Sequence, residues 1–531
     1  MCIIEIILRR CAEIKILMER LFMEKRDMWS SRFTFILAAI GSAVGLGNAW
    51  RFPGLAAKHG GGAFLLVYLV VMLAMGIPLL MMEISVSRKF RKGAIESMRG
   101  IGKKWEPVGW AATSNAFVIV CYYSVVFAWV ILMFINSWQF AGMTHDNEAA
   151  SGLFMKLTDS TAAIEGNSIP GVVLFCLLVA WGLIFFCIRN GASSVGKVVK
   201  FTVFAPVVLL VIMAVKGCTM PGAMVGLKTL FIPDFTQLSD ATLWIDAIGQ
   251  VFYSLSIIMA IMFAYGSYVG DDANVAADAM IIAFSDMAIS VLSGIVMFST
   301  MGGTGMLDQI TDSGIGTAFF VYPQAIVNLT NLGWFNAIFG AVFYLMLITL
   351  AIDSAFSIVE GVSAAIADKF HLKPKTVTLA ICVIAGLISI VFVTQAGLAW
   401  LDIVDNWANT INLIIIGILE CIAIGWTFSL RKVVKEVNRN TKRFKVPYWW
   451  FAASVKFIAP IVLTVMFVWN MITLFGKNGG SYGDYPIWAQ IIGGWVVTIL
   501  VFASGFIAKI FVARKKKREG YVEDEVVWED D

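Results

Sequence analysis

The 531-residue chain is 59% hydrophobic and 14% charged, with a formal net charge of +4. No soluble domain can hide that much apolar surface, so composition points to a polytopic membrane protein. The eight cysteines show no CxxC pair or metal spacing and the three histidines no HExxH, which argues against a disulfide framework and a zinc enzyme.

The first 25 residues are interrupted by Glu5, Arg9, Arg10, Glu13 and Lys15, and no small-residue cleavage site follows, so they do not read as a signal peptide. Residues 1–28 are expected to form a cytoplasmic segment. Residues 1–22 equally suit an upstream start, since Met23-Glu-Lys-Arg-Asp-Met-Trp reads as a beginning. Twelve apolar runs then fit membrane helices: 34–57, 62–87, 108–140, 169–188, 198–216, 241–268, 277–303, 334–367, 376–395, 399–429, 449–475 and 486–513. Lys and Arg cluster after the second run (Arg88 to Lys104), after the tenth (Arg431 to Lys445) and after the last (Arg514 to Arg518). That pattern puts both termini on the cytoplasmic side and makes 141–168, 217–240 and 304–333 external. The acidic end, Glu523 to Asp531, is expected to be solvated and disordered.

The first run contains Gly41-Ser-Ala-Val-Gly-Leu-Gly-Asn-Ala-Trp-Arg-Phe-Pro53. Three closely spaced glycines weaken a helix, and Pro53 removes a donor. Broken backbone at membrane depth is tolerated only where it faces protein, water or a ligand. Interrupted helices near the midplane are how many transporters build a solute site. Gly41-x-x-x-Gly45 also fits close helix packing, and this segment alone leaves both readings open. The sixth run places Gln250, Ser254 and Ser256 at similar depth. Two such anomalies, five helices apart, are the expected sign of two five-helix repeats. The repeats would span about 34–216 and about 241–429, with extra helices at about 449–513, inside a transmembrane domain 29–513 followed by a tail 514–531.

Ionisable groups in membrane spans are costly and usually functional. Here they are Arg51, Glu83, Asp286, Asp353, Asp405 and Glu420. Adjacent carboxylate and hydroxyl groups at Asp353-Ser354 suit a hard cation that takes oxygen ligands. Glu83 and Glu420 read as structural hydrogen-bonding groups.

The glycine-rich motif, then Gly60-Gly-Gly-Ala-Phe, Gly76-Ile-Pro-Leu with Glu83, Gly249-Gln-Val-Phe-Tyr-Ser-Leu-Ser, Thr349-Leu-Ala-Ile-Asp-Ser-Ala-Phe and Asp405-Asn-Trp-Ala resemble the neurotransmitter:sodium symporters over roughly residues 25–513. The resemblance implies an all-α membrane protein of the LeuT fold: two inverted five-helix repeats plus two C-terminal helices. It implies sodium-driven import of an amino acid or related amine by alternating access. One sodium would be held by Ala43, Asn48, Ser254 and Asp286 together with the substrate carboxylate, a second by Gly41, Val44, Leu350, Asp353 and Ser354. Such a shared ligand couples the two binding events reciprocally.

Monoamine members carry Asp at position 45, whereas this chain has Gly45. The Gly45-Leu46-Gly47 backbone, Ser42, Ala43 and Tyr123 would then receive a substrate carboxylate, which favours an α-amino acid. The side-chain wall would be Ile119, Tyr253, Met259 and Ile358, with Ser254, Ser256, Ser354 and Ala355 alongside. Ile258 replaces a small residue and is expected to narrow the pocket. Met259 can still admit a hydrophobic or aromatic side chain. Chloride-dependent relatives place Asn at position 286 and use the equivalents of Tyr68, Gln250, Ser254 and Ser290 as anion ligands. Asp286 already brings a negative charge there, so chloride is not expected to be required. Arg51 and Asp405 would pair as the external gate under which Tyr253 forms a lid. Arg26 and Asp368, helped by Ser267 and Tyr268, would form the internal gate.

A non-transporting sensor on the same scaffold is the alternative. No selectivity-filter-like loop supports a channel, and no nucleophile–base arrangement supports an enzyme. The expected partners are an amino acid, sodium ions and lipid, with no nucleic acid, in a monomer or loose dimer. The external segment 141–168 lacks the cysteines and glycosylation site of animal members, so a prokaryotic inner (plasma) membrane is expected.

Overall fold

The computed structural model describes residues 28–531 apart from 144–148, 162–163, 165, 167, 312, 443–444, 478–479, 520, 522, 524–525 and 529–531. Arg26 and residues 1–22 lie outside the described residues. Ten described helices are long and apolar enough to cross a bilayer, and one further span is bent by 54° at a break. A last span is split into two short halves by residues 255–260. In chain order the spans are α1 (Arg32–Ala43 with Gly47–Lys58), α2 (Gly62–Phe90), α3 (Lys103–Gly142), α4 (Gly171–Ile188), α5 (Ala192–Cys218) and α6 (Ala241–Ser254 with Ile261–Ser267). The remainder are α7 (Val275–Thr304), α8 (Gly333–Phe370), α9 (Pro374–Val393), α10 (Gly397–Thr427), α11 (Tyr448–Gly476) and α12 (Ile487–Arg518).

The termini of these helices carry their own stop and start chemistry. Ser31 caps α1 by accepting from the Thr34 amide (3.2 Å), Asp240 caps α6 at Thr242 (2.9 Å) and Asn274 caps α7 at Ala277 (3.1 Å). The two broken helices lie in the interior. The split α1 packs against α5, α7 and α8, and the first half of α6 against α2. Around them α4, α9, α11 and α12 turn Phe175, Leu178, Leu387, Val465 and Ile499 outward, the apolar boundary a lipid-embedded chain needs.

Three features were not anticipated. The external segments contain helices of their own, Ala149–Thr158, Ala223–Phe231 and Gly314–Val327. Arg88, counted above as a loop charge, is buried. It pairs with Glu436 Oε1 at 2.7 Å and donates to the Ala273 carbonyl at 2.8 Å, tying α2 to the amphipathic helix Leu430–Val437. The third feature concerns the acidic tail. Glu523 lies 2.7 Å from the fully buried Lys369 Nζ, which Glu96 and Glu106 also approach at 3.1 and 2.8 Å. Trp528 packs edge-on against Phe90, and its ring lies 5.2 Å from that of Phe428. The expectation of a solvated tail is therefore corrected for these residues. A buried ammonium needs counter-charge, and the tail supplies part of it.

Burial opposes the charge of Glu523, but Lys369 and Arg99 outweigh it and hold the carboxyl below its ordinary range. A depressed folded-state value means the contact is at full strength above the ordinary Glu pKa of about 4.3 and is lost as pH falls through the folded value. Limited proteolysis should find the tail protected at pH 7 and released in acid, with Glu523→Gln releasing it at pH 7. Equal cleavage of both proteins at neutral pH would contradict the assignment.

Candidate functional site

The site begins where α1 stops. Val44 is extended (φ −82°, ψ 96°), so the helical ladder ends at Ala43. The Gly45 amide, which an unbroken helix would aim at the Gly41 carbonyl, instead donates to Asn48 Oδ1 at 2.9 Å. The Ser42 carbonyl accepts from Ser256 Oγ at 2.9 Å. Side chains thus replace part of the lost ladder, as membrane depth requires.

The matching break in α6 holds Ser256, Ile258 and Ala260 at φ of 53°, 67° and 62°. Left-handed backbone costs a side-chain-bearing residue about 1–2 kcal/mol, and more for a β-branched one. One contact that holds this shape is the Ile258 amide, which donates to Glu83 Oε1 at 2.6 Å.

Asp286 is wholly buried and sits among donors from three other helices. Ser254 Oγ approaches both its oxygens at 2.7 Å, Asn48 Nδ2 donates to Oδ1 at 2.6 Å, and Tyr68 donates to Oδ2 at 3.1 Å. Asn48 Nδ2 also reaches Ser254 Oγ at 2.9 Å and Ser290 Oγ at 2.8 Å. Tyr68 and Ser254 therefore gather at the carboxylate, while Ser290 Oγ donates to the Asp286 backbone carbonyl at 3.0 Å. Gln250 turns instead toward the Gly47 carbonyl at 3.4 Å.

Asp353 lies on the other side of the break. Its Oδ1 is buried and unpartnered, and its Oδ2 is 2.7 Å from where a Cβ on Gly41 would stand. Ser354 Oγ donates to the Ser42 carbonyl at 3.5 Å and lies 2.5 Å from an ideal Cβ on Gly45. Val44 and Leu350 are buried beside them. A buried, unpartnered carboxylate oxygen beside released carbonyls and a hydroxyl is a donor set that a hard monovalent cation fits. Thr202 on α5, whose Oγ1 donates to the Val198 carbonyl at 3.2 Å, is a polar neighbour of Asp353 that sequence reading missed because nothing in its own segment marks it.

The Tyr123 hydroxyl faces Ser354 and the Leu46 amide without a well-formed bond of its own, 3.6 Å from an ideal Gly45 Cβ. Ala43, Leu46, Ile119, Met259, Ala355 and Ile358 are buried, and the Tyr253 ring rests on Gly47, 2.9 Å from where its Cβ would be. Ile258 does not narrow the pocket as expected. Its left-handed backbone turns the side chain onto α10, 2.6 Å from an ideal Cβ on Gly417.

Arg51 and Asp405 are not in direct contact. Arg51 lies over the Tyr253 ring at 5.7 Å, and Asp405 accepts from Asn409 at 2.8 Å while Arg51 acts on it at longer range. A cavity of about 140 Å³ above them is lined by Arg51, Tyr253, Thr410 and Met466. On the cytoplasmic side, Trp29 donates from its indole to the Tyr265 carbonyl at 3.0 Å and packs edge-on against Tyr265 and Tyr268. Asp368 accepts from the Gly93 amide at 2.6 Å, and Ser267 Oγ donates to the Ala264 carbonyl at 2.5 Å. Tyr268 donates to Glu360 at 2.8 Å. Glu360 was missed, yet it lies two turns after Asp353 on the same face of α8, a spacing the sequence displays.

A model of the sodium:neurotransmitter symporter family matches residues 26–152 and 148–515. An uncharacterized sodium-dependent transporter of Methanocaldococcus jannaschii is 33% identical over 511 residues, covering 94% of this chain and 100% of that one. The human sodium- and chloride-dependent GABA transporter 2 is 28% identical over 519 residues, covering 90% and 85% respectively. The crystal structure of MhsT in complex with L-phenylalanine superposes with a TM-score of 0.73 at 29% identity, covering 84% of this chain and 99% of that one. The architecture is the LeuT fold.

Gly45→Ala would drive a methyl group into Ser354 Oγ. It should lower sodium-dependent solute binding at least tenfold, about 1.4 kcal/mol, without changing the elution profile of the purified protein. Unaltered binding would show that the close approach at position 45 has no role.

Proposed function

We propose that this chain, which belongs to the sodium:neurotransmitter symporter family, imports an α-amino acid with a hydrophobic or aromatic side chain, using two sodium ions and no chloride. Sodium-coupled transport comes with the family. The substrate, the ion count and the chloride independence are the added reading.

The observation that carries it is the crowding at Gly45. A side chain at position 45 would put its Cβ 2.5 Å from Ser354 Oγ, and with glycine there the protein brings no acid of its own to that spot. The under-used Tyr123 hydroxyl and the Leu46 amide face the same place and suit a substrate carboxylate. The apolar wall of Ile119, Met259 and Ile358 supports a hydrophobic side chain, and the MhsT structure was solved with phenylalanine. A substrate amine has no charge partner in this set, which leaves it to the carbonyls released by the two breaks.

Sodium would take the two oxygen-rich flanks. On one side Asp353 and Ser354 meet the α1 break, and on the other Asp286, Asn48 and Ser254 do so. Two of the donors that could hold a chloride ion, Tyr68 and Ser254, already point at the Asp286 carboxylate. A second anion there would face repulsion at low dielectric. With the external pair apart and the cytoplasmic side closed over Trp29, the geometry supports loading from outside.

In proteoliposomes an inward sodium gradient should drive uptake of a large neutral amino acid, unchanged when chloride is replaced by gluconate. Asp286→Asn should make uptake depend on chloride. Wild-type uptake that fails in gluconate would contradict the ion assignment. Binding with no sodium-driven accumulation would favour a sensor on the same scaffold.

A further inference from the structure

The basic end of α12 lies against α3 and α8 along a groove that plays no part in the reading above. The groove holds about 540 Å³ and is lined by Trp110 of α3, Phe370 of α8 and Leu500, Ser504, Phe511 and Lys515 of α12. That volume falls within the range of ligand sites, about 300–1,000 Å³. Leu500, Ser504, Ala508, Phe511 and Lys515 follow one another at steps of three or four, so they form one stripe of the helix, and Arg518 continues it. The wall offers a polar solute nothing. The Ser504 hydroxyl donates to the Val501 carbonyl at 2.7 Å, and the Trp110 indole donates to Glu106 at 3.2 Å. The rim differs. Lys515 Nζ donates to the Phe370 carbonyl at 2.9 Å and keeps two N–H bonds for another partner. Arg514, Lys516, Lys517 and Arg518 around it are exposed. Among the described residues no carboxylate pairs with Lys515 or Arg518, and the acids at this end, Glu106 and Glu523, go to Lys369.

We propose that this groove binds one anionic phospholipid of the leaflet on that side, with an acyl chain along the α12 stripe and the phosphate on Lys515 and Arg518. Depth points to a lipid. Leu500 to Phe511 rises about 16 Å along the helix, half of a hydrocarbon core about 30 Å thick. The apolar stripe thus ends one turn before Lys515, which stands at headgroup level. Charge selects the kind of lipid. The run Arg514-Lys-Lys-Lys-Arg518 attracts an anionic headgroup. A zwitterionic headgroup adds a cation of its own, which the run repels. A second copy of the chain would bring the same five cations to the same place, so like charge opposes it as the occupant.

Native mass spectrometry of the purified full-length protein tests this with phosphatidylglycerol and phosphatidylcholine of identical acyl chains. One phosphatidylglycerol should bind about tenfold more tightly than phosphatidylcholine. Lys515→Gln combined with Arg518→Gln should bring the two lipids within about twofold of each other. Ser504→Trp, which fills the groove and keeps every charge, should abolish the tight site. Tight phosphatidylglycerol binding that survives Ser504→Trp would overturn the proposal, since the basic run alone would then account for it. A second measurement leaves the groove open. Phosphatidylglycerol brominated on its acyl chains should quench a larger fraction of the tryptophan fluorescence in the wild type than in Trp110→Phe. Equal quenching in the two proteins would place the chain elsewhere and overturn the assignment. A dimer that Ser504→Trp splits would make a second copy the occupant and overturn it as well.

Discussion

Everything at the centre of this molecule follows from one constraint: a backbone group released inside a membrane must find a partner. The chain breaks two helices, α1 at residues 44–46 and α6 at 255–260, and so creates unpaired carbonyls and amides where water cannot reach. Some are repaired by the protein itself, as when Asn48 takes the Gly45 amide and Ser256 takes the Ser42 carbonyl. The remainder form a polar surface that cations and a charged solute can complete.

Charge placement follows from that surface. Asp286 and Asp353 flank the α1 break, and they are provided for differently. Asp286 is wrapped by Ser254, Asn48 and Tyr68, so it is stable as it stands and organises the donors around it. Asp353 keeps one buried oxygen without a hydrogen-bond partner. The same reasoning separates Glu83 and Glu420 from both. Glu83 accepts the Ile258 amide of the α6 break, while its Oε2 and both oxygens of Glu420 are buried without a hydrogen-bond partner.

Much of this was legible in the sequence. Apolar run length located all twelve spans, and the glycine cluster at 41–47 marked the α1 break because three glycines so close together weaken any helix. Asp286 and Asp353 stood out since charge in lipid is costly. What remained hidden depended on backbone direction or on distant partners. Ile258 looked like a pocket residue, but its positive φ turns it onto Gly417. Arg88 looked like a surface charge until Glu436, far along the chain, buried it. The tail looked solvated by its composition, yet Lys369 needs the carboxylate of Glu523. Arg51 and Asp405 fit a gate by type, whereas their direct contacts go to Tyr253 and Asn409.

The central claim is that the substrate's own carboxylate completes the site at the α1 break and links solute to sodium. Sodium affinity of the purified protein, measured with phenylalanine and with its decarboxylated amine, tests this most directly. The account predicts that phenylalanine tightens sodium binding and that the amine, lacking the shared ligand, leaves it unchanged. An amine that tightens sodium binding as strongly as the amino acid would contradict it.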